Sequence, residues 1–128
     1  MAKLSRKNPE GIHAPVGRYV HVVTVEASRR VVLSGQVGVR PDGSVPEQAS
    51  EQAEQLVENI RTALQSEGLG AADIVKITAY LTDRAMLPVW RAAREKLFGS
   101  VDTASTLLFV TGLADPKFFF EVDVEAAG

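Results

Sequence analysis

The C-terminal stretch of the chain, residues 103–126, carries the strongest pattern in the sequence. Two runs rich in β-branched and aromatic residues, 105–111 and 117–125, flank a turn that contains Gly112 and Pro116. Such runs predict strands, and the short connection between them is typical of an antiparallel hairpin. We therefore expect the chain to fold around a β-sheet that includes this hairpin.

The second of these runs divides its side chains between two faces, because alternate side chains of a strand point in opposite directions. One face is apolar and the other is charged, with Phe118, Phe120, Val122 and Val124 on the first and Glu121, Asp123 and Glu125 on the second. Carboxylates about 7 Å apart along a strand repel one another unless water or cations screen them. The charged face is either a solvated outer surface or the wall of a site.

The first run is apolar on both faces, with Leu107 and Phe109 on one side and Leu108 and Val110 on the other. A chain of 128 residues has little material to cover both sides of such a strand. An apolar strand face left uncovered in one chain indicates contact with another. We therefore expect a partner subunit.

Length and composition predict a single domain over residues 1–128, large enough to bury a core without disulfide or metal support. The absence of cysteine excludes a thiolate nucleophile and Cys-ligated metal centres. A net charge of −2 without a basic patch argues against a dedicated nucleic-acid-binding protein. With neither a secretory signal nor an apolar run of membrane length, we expect a cytoplasmic protein that does not bind membranes.

The first half of the sheet is predicted from the N-terminal part of the chain. Residues 1–16 are polar and contain prolines, which is typical of a flexible lead-in. Two strand candidates, 19–27 and 31–39, follow and are joined by a polar turn. Within the second, the glycine of Ser34-Gly35-Gln36 indicates either a bulge or the close approach of another group to the backbone.

A helix is predicted from about residue 45 or 47 to residue 67. Its apolar residues recur at helical spacing, at Ala53, Leu56, Val57, Ile60 and Leu64. Ser44 and Glu47 fit a capping box, and Gly68 supplies a stop.

A third strand and a second helix follow. The strand, 74–82, has an apolar face formed by Val75, Ile77, Ala79 and Leu81. The helix begins at residue 86 or 87 and ends at 98, with a buried stripe of Met86, Trp90, Ala93 and Leu97. The order ββ-α-β-α-ββ predicts an α+β fold, in which two helices cover one face of a mostly antiparallel sheet.

The residues themselves define no reaction. The two histidines, His13 and His21, form no metal-binding set without cysteine, so no metal site is expected. Nucleophile-elbow, phosphate-loop and dinucleotide motifs are absent from the sequence. What remains is a set of polar residues at strand ends and helix edges: Tyr19, Ser34, Gln36, Tyr80, Arg91, Ser105, Thr106 and Glu121.

The order of short motifs nevertheless resembles a known family. The motifs are Gly17-Arg18-Tyr19, Ser34-Gly35-Gln36, Gly43-x-Val45-Pro46, Asp73-Ile74-Val75-Lys76 and the ending from Gly112 to Asp123. Together they resemble the Rid family, also called the YjgF or L-PSP endoribonuclease family, over residues 15–127. The resemblance implies a homotrimer with a chorismate-mutase-like α+β fold and ligand clefts between its subunits.

The deaminase branch of that family hydrolyses reactive imines and enamines to a keto acid and ammonia without a cofactor. By resemblance, Glu121 matches the glutamate that assists water, and Tyr19 matches the tyrosine of the family's G-P-Y motif. The family's S-G-Q loop corresponds to residues 34–36, and a helix asparagine of the family corresponds to Arg91. These matches imply that Glu121 is the catalytic residue. They also imply that Tyr19, Ser34, Gly35, Gln36 and Arg91 bind the substrate.

The family's carboxylate-binding arginine has no match in this chain. The P-A-R-S motif reads Thr103-Ala104-Ser105-Thr106, so Ser105 stands at the position of the arginine. A bidentate contact between arginine and a carboxylate stabilises a complex by about 1.5–3 kcal/mol more than a hydroxyl does. The resemblance therefore implies weak or no hydrolysis of ordinary 2-imino acids.

Three functions follow from this combination of matches and departures. The first is a Rid-like hydrolase for an imine, enamine or related C–N metabolite, with Tyr19, Ser105 and Thr106 binding the substrate. The second is a non-catalytic trimer that binds a small metabolite. The third, a ribonuclease or translation inhibitor, is the least favoured, because a net charge of −2 gives little affinity for phosphates.

Overall fold

A computed structural model describes residues 3–128 of the chain. The elements in chain order are β1 Lys3–Lys7, β2 Val22–Glu26, β3 Arg30–Val32, α1 Ala49–Gln65, β4 Ile74–Leu81, α2 Leu87–Phe98, β5 Ala104–Phe109 and β6 Phe120–Ala127. Short 3-10 turns, Ala71–Asp73 and Arg84–Met86, precede β4 and α2. Within the described part of the chain, no helix combines the length and apolar character needed to cross a membrane.

The main sheet has four strands in the order β3-β6-β4-β5. Strand β6 is antiparallel to both β3 and β4, whereas β5 runs parallel to β4. The apolar stripes of α1 and α2 pack on one face of this sheet, against Ile77 of β4 and Val122 of β6. The predicted α+β fold with two helices on one face of a mostly antiparallel sheet is confirmed.

The predicted hairpin between the last two strands is wrong. Strand β4 lies between β5 and β6, with Tyr80 opposite both Leu108 and Glu121. The alternating apolar face of β4 thus belongs to a central strand that is hydrogen-bonded on both sides. The connection through α2 is long enough for a crossover, and this allows β5 to run parallel to β4.

The structure places a strand at the start of the predicted lead-in, residues 1–16, whereas residues 8–16 contain neither helix nor strand. Residues 3–7 form β1, which pairs antiparallel with β2 in a separate two-stranded sheet. Arg6 ties this ribbon to the main sheet, because its guanidinium donates to the carbonyl oxygens of Ala72 at 2.9 Å and Ile74 at 3.3 Å. Residues 1 and 2 of the lead-in lie outside the described residues.

The predicted N-terminal strands are longer than the observed ones. Strand β2 begins at Val22 rather than at residue 19, and β3 ends at Val32 rather than at residue 39. The two strands join different sheets. After β3 the backbone pairs with β6 once more, through an isolated bridge between Gln36 and Val122.

Both helices bury the apolar stripes that the sequence predicted. Two other details of the prediction are wrong: the cap of α1 and one core residue of β4. The first helix starts at Ala49 and has no side-chain cap, since the hydroxyl of Ser44 donates to Asp42 instead of capping the helix. On β4, an irregularity between Ile74 and Lys76 places Ile74 in the core and leaves Val75 half-buried. The remaining predicted core residues of these elements are buried or half-buried.

Gly38 makes a close backbone contact between the loop after β3 and helix α1. A Cβ atom at this position would lie 2.3 Å from the carbonyl oxygen of Gln52, which is a backbone atom of the helix. Gly38→Ala is therefore expected to lower the free energy of unfolding by about 3 kcal/mol, at the upper end of overpacking effects. Urea denaturation measures the change.

Gly112→Ala is the matched control, because a Cβ atom there has no neighbour within 4 Å. Its effect should stay within about 0.5 kcal/mol. Equal effects of the two substitutions would contradict the close packing of Gly38 against α1.

Candidate functional site

A cavity of about 720 Å³ lies along the edge strand β5, between α2 and the segment before β2. Its wall includes four residues that the sequence singled out: Tyr19, Arg91, Ser105 and Thr106. Side chains of Leu87, Trp90 and Leu107 form its apolar part. Arg18, Arg94 and Glu95 also line it. The cavity thus combines charged residues and hydroxyl groups with an apolar wall, as binding sites for small molecules commonly do.

The segment that carries Tyr19 is fixed to the end of α2 by Arg18. The Arg18 guanidinium donates to Asp102 at 3.1 Å and to the carbonyl oxygen of Gly99 at 2.7 Å, and it also pairs with Glu95. Tyr19 is half-buried, and its hydroxyl accepts a hydrogen bond from the backbone N–H of Val16 at 3.2 Å. The tyrosine ring is therefore held at the wall of the cavity.

Arg94 is the residue in this cavity that sequence reasoning missed. Its side chain is buried, although arginine is normally an exposed residue. The signal was present in the sequence, because Arg94 follows Trp90 by four positions and so lies on the buried stripe of α2.

Ser34, Gly35 and Gln36 lie near Glu121 on β6. The backbone of Gln36 exchanges two hydrogen bonds with Val122, at 2.8 and 3.0 Å. A Cβ atom at Gly35 would lie only 2.2 Å from Oε2 of Glu121. Of the two alternatives predicted at Gly35, a bulge or a close approach, the structure shows the close approach, and the approaching group is the carboxylate of Glu121.

Glu121 differs from the two other carboxylates on its face of β6. Asp123 accepts a hydrogen bond from the Tyr80 hydroxyl at 3.0 Å, and Glu125 pairs with Arg30 at 3.0 Å. The bond to Asp123, together with the negative charge of Asp123, raises the pKa of the Tyr80 hydroxyl. Among residues 3–128, the Glu121 carboxylate has neither a hydrogen-bonding partner nor an ion pair. It is therefore the carboxylate of this face that is free to act on a ligand.

The structure places the predicted site residues in two groups on opposite faces of the sheet. Ser105 pairs with Ile77, whose side chain is buried beneath the helices, whereas Glu121 lies on the open face. Strand β4 separates them, which corresponds to about 9.5 Å across the sheet. The cavity group holds Tyr19, Arg91 and Ser105, and the open-face group holds Ser34, Gly35, Gln36 and Glu121. Thr106 also lines the cavity, but it pairs with Thr78 and its hydroxyl accepts a hydrogen bond from Lys76 at 2.8 Å, so its side chain lies on the open face. Ser105 and Glu121 of one chain cannot both contact one small substrate.

No metal site emerges within residues 3–128, where no three His, Asp or Glu side chains are close enough together to hold an ion. The chemistry available to the two groups is that of one free carboxylate, several hydroxyl groups and the arginines of α2.

Comparison with known proteins identifies the family of this chain. The family described as Endoribonuclease L-PSP matches residues 11–128. The chain belongs to this family. The L-PSP match covers the cavity group as well as the open-face group. The resemblance to the Rid family that the sequence motifs indicated is therefore confirmed.

Relatives within the L-PSP family include an enzyme that acts on imines. A 2-iminobutanoate/2-iminopropanoate deaminase from Salmonella typhimurium is 36% identical over 90 residues, 70% of this chain and 69% of that protein. A RutC family protein from Haemophilus influenzae is 37% identical over 86 residues, 66% of this chain and 65% of that protein. A Rid family protein of unknown function from Yersinia pestis covers 98% of both chains, with a TM-score of 0.87 at 24% identity, and shares the fold.

Proposed function

We propose that this protein is a deaminase-type hydrolase that converts a reactive imine, enamine or related C–N metabolite to a carbonyl compound and ammonia. The observation that carries the proposal is the free carboxylate of Glu121, held against Gly35. The imine deaminases among its relatives support the same chemistry.

Glu121 supplies the group that such a hydrolysis needs. A carboxylate within hydrogen-bonding reach of water orients it and accepts its proton as the oxygen attacks the imine carbon. The imine nitrogen takes up a proton from solvent at the same time, which gives a carbinolamine. The amino group of the carbinolamine then takes the proton held by Glu121, the hydroxyl loses its proton to solvent as it becomes the carbonyl oxygen, and the C–N bond breaks to release ammonia. One water is consumed for each imine, and no cofactor takes part.

A homotrimer completes the site in this proposal. The cavity group of one subunit would face the open-face group of its neighbour, so that Glu121 reaches a substrate bound beside Ser105. Two apolar residues support a covered open face: Val32 is 61% exposed and Leu108 is 46% exposed in the single chain, at opposite edges of the sheet. Exposed apolar side chains on one sheet face are typical of a subunit interface.

The trimer and its shared site are tested together. Light scattering at micromolar concentration should report about three subunits per particle, as expected for a closed ring of identical interfaces. Glu121→Gln inactivates the open-face group of its subunit, and Ser105→Trp fills the cavity of its subunit. Subunits of the two inactive variants, unfolded and refolded together in equal amounts, should regain about a quarter of the wild-type activity, because random mixing leaves that share of sites intact.

A monomer in light scattering would contradict the trimer. A trimer whose mixed form stays inactive would place the whole site within one subunit instead.

The hydrolase itself is tested by release of a carbonyl compound from imines generated in situ by an amino-acid oxidase. The protein should accelerate the decay of at least one imine beyond the rate in buffer. A panel of short, branched and aromatic imines covers the substrates that the cavity can hold.

The second candidate function is a non-catalytic trimer that binds a small metabolite. The observation that favours it is Ser105, which leaves β5 without the arginine of the family's P-A-R-S motif. This candidate predicts ligand binding by calorimetry with no acceleration of any imine in the panel.

A further inference from the structure

Arg94 carries a buried charge that forms no direct ion pair within the described residues. Its side chain is only 7% exposed. One guanidinium nitrogen donates to the carbonyl oxygen of Arg18 at 2.8 Å, and the guanidinium carbon lies 4.8 Å from the centre of the Phe98 ring. Both partners are neutral, and within residues 3–128 no carboxylate forms an ion pair with Arg94.

Burying an unpaired charge is strongly unfavourable, so the burial of Arg94 needs a physical explanation. The two acidic residues near Arg94 are Glu95, which lines the cavity, and Asp102, and both form ion pairs with Arg18. Burial, and then the positive charge of Arg18, lower the pKa of the Arg94 guanidinium, and the negative charges of Asp102 and Glu95 offset part of this effect. An anion bound in the adjoining cavity would supply the missing counter-ion.

The cavity offers a second cation beside the first. Arg91 lies one helical turn before Arg94 on α2 and lines the same cavity. It is exposed, and within the described residues it makes neither a hydrogen bond nor an ion pair. Leu87, Trp90 and Leu107 supply an apolar surface next to these cations.

We propose that Arg94, with Arg91, forms a carboxylate-binding subsite on the α2 wall of the cavity, for a substrate that also carries an apolar side chain. This inference rests on the proposed function, because it names the substrate class of the same site. The cation comes from the helix wall, whereas the family's P-A-R-S arginine would come from β5. The substrate class is therefore a branched or aromatic carboxylic acid with a reactive C–N bond.

The test compares 4-methyl-2-oxopentanoate with its uncharged amide, using calorimetry and no turnover. Wild type should bind the acid about ten- to a hundredfold more tightly than the amide, as a charge-assisted contact predicts. Arg94→Met should remove most of this preference, and Arg91→Met should remove part of it. Arg94→Lys should keep part of it, because it retains the charge but loses the planar donor geometry.

Arg84→Met is the matched control. Arg84 lies over the Phe109 ring at 4.6 Å, as Arg94 lies over Phe98, but it does not line the cavity. This control should leave the preference for the acid unchanged. The melting temperature of Arg94→Met should equal or exceed that of wild type, because an apolar side chain replaces an unpaired buried charge.

Several results would overturn the subsite. Equal affinities of wild type for the acid and the amide would mean that no cation reads the carboxylate. If Arg94→Met keeps the preference for the acid, Arg94 does not bind the carboxylate. If Arg94→Met loses the preference and its melting temperature also falls by several degrees, Arg94 has a structural role instead. An Arg94-dependent preference without imine hydrolysis would refute the proposed hydrolase and leave the subsite standing.

Discussion

Glu121→Gln is expected to lower imine hydrolysis by about two orders of magnitude or more. A positioned general base contributes about 10²–10⁴-fold to such a step, and an amide can neither accept the proton of water nor attract it as strongly. Glutamine has nearly the same shape as glutamate, so the contact with Gly35 is kept. The loss should appear in kcat more than in KM, because the carboxylate acts on water rather than on the substrate's binding groups.

Glu125→Gln is the control on the same strand. Glu125 shares the open face with Glu121, but its carboxylate is paired with Arg30. Its replacement should change kcat by less than about threefold, since exposed ion pairs contribute little. A similar loss in both variants would show that the negative face as a whole matters, rather than one free carboxylate.

Gly35→Ala gives the same prediction by another route. The added methyl group would meet the Glu121 carboxylate at 2.2 Å, so the side chain must move away. Activity should fall although Glu121 itself is unchanged. Full activity in Gly35→Ala would mean that the carboxylate works from a position other than the one seen against Gly35.

The sequence predicted local structure better than it predicted strand pairing. The buried stripe of α1 follows from apolar spacing within one element, and the structure confirms it from Ala53 to Leu64. The order β6-β4-β5 depends instead on contacts between residues far apart in the chain. The apolar pattern of a strand and the turn beside it are the same whether the strand pairs with the next strand in the chain or with an earlier one. The pattern therefore does not predict the pairing.

The candidate site shows the same division. Gly35 signalled a close approach because a glycine inside a strand pattern marks either a bulge or a group packed against the backbone, and the structure supplies Glu121 as that group. Burial of Arg94 depends on how the segment at Arg18 folds over α2, which no local pattern reveals. Likewise, the faces that hold Ser105 and Glu121 follow from pairing with β4, so their separation is visible only in three dimensions.

Ser105→Arg is expected to raise kcat/KM for 2-iminobutanoate by about ten- to a hundredfold. The substitution places a guanidinium on the β5 wall of the cavity, where the sequence resemblance implies one in the family's P-A-R-S motif. A bidentate contact of about 1.5–3 kcal/mol corresponds to that gain. A short imino acid makes little use of the apolar wall formed by Leu87 and Trp90, so its binding depends most on a new contact. The measurement is release of the 2-oxo acid from the imine generated in situ, corrected for its decay in buffer.

Ser105→Lys is the matched control for charge alone, because a lysine brings a cation without the planar pair of donors. It should give a clearly smaller gain than arginine. Adding Glu121→Gln to Ser105→Arg should remove the gain, since a better-held substrate still needs a positioned water.

If Ser105→Arg keeps the oligomeric state of wild type and shows no gain, the cavity differs from that of the deaminases by more than one side chain. Short 2-imino acids would then not be substrates even when their carboxylate is held at β5. The binding protein would be the better description only if no larger imine is hydrolysed either.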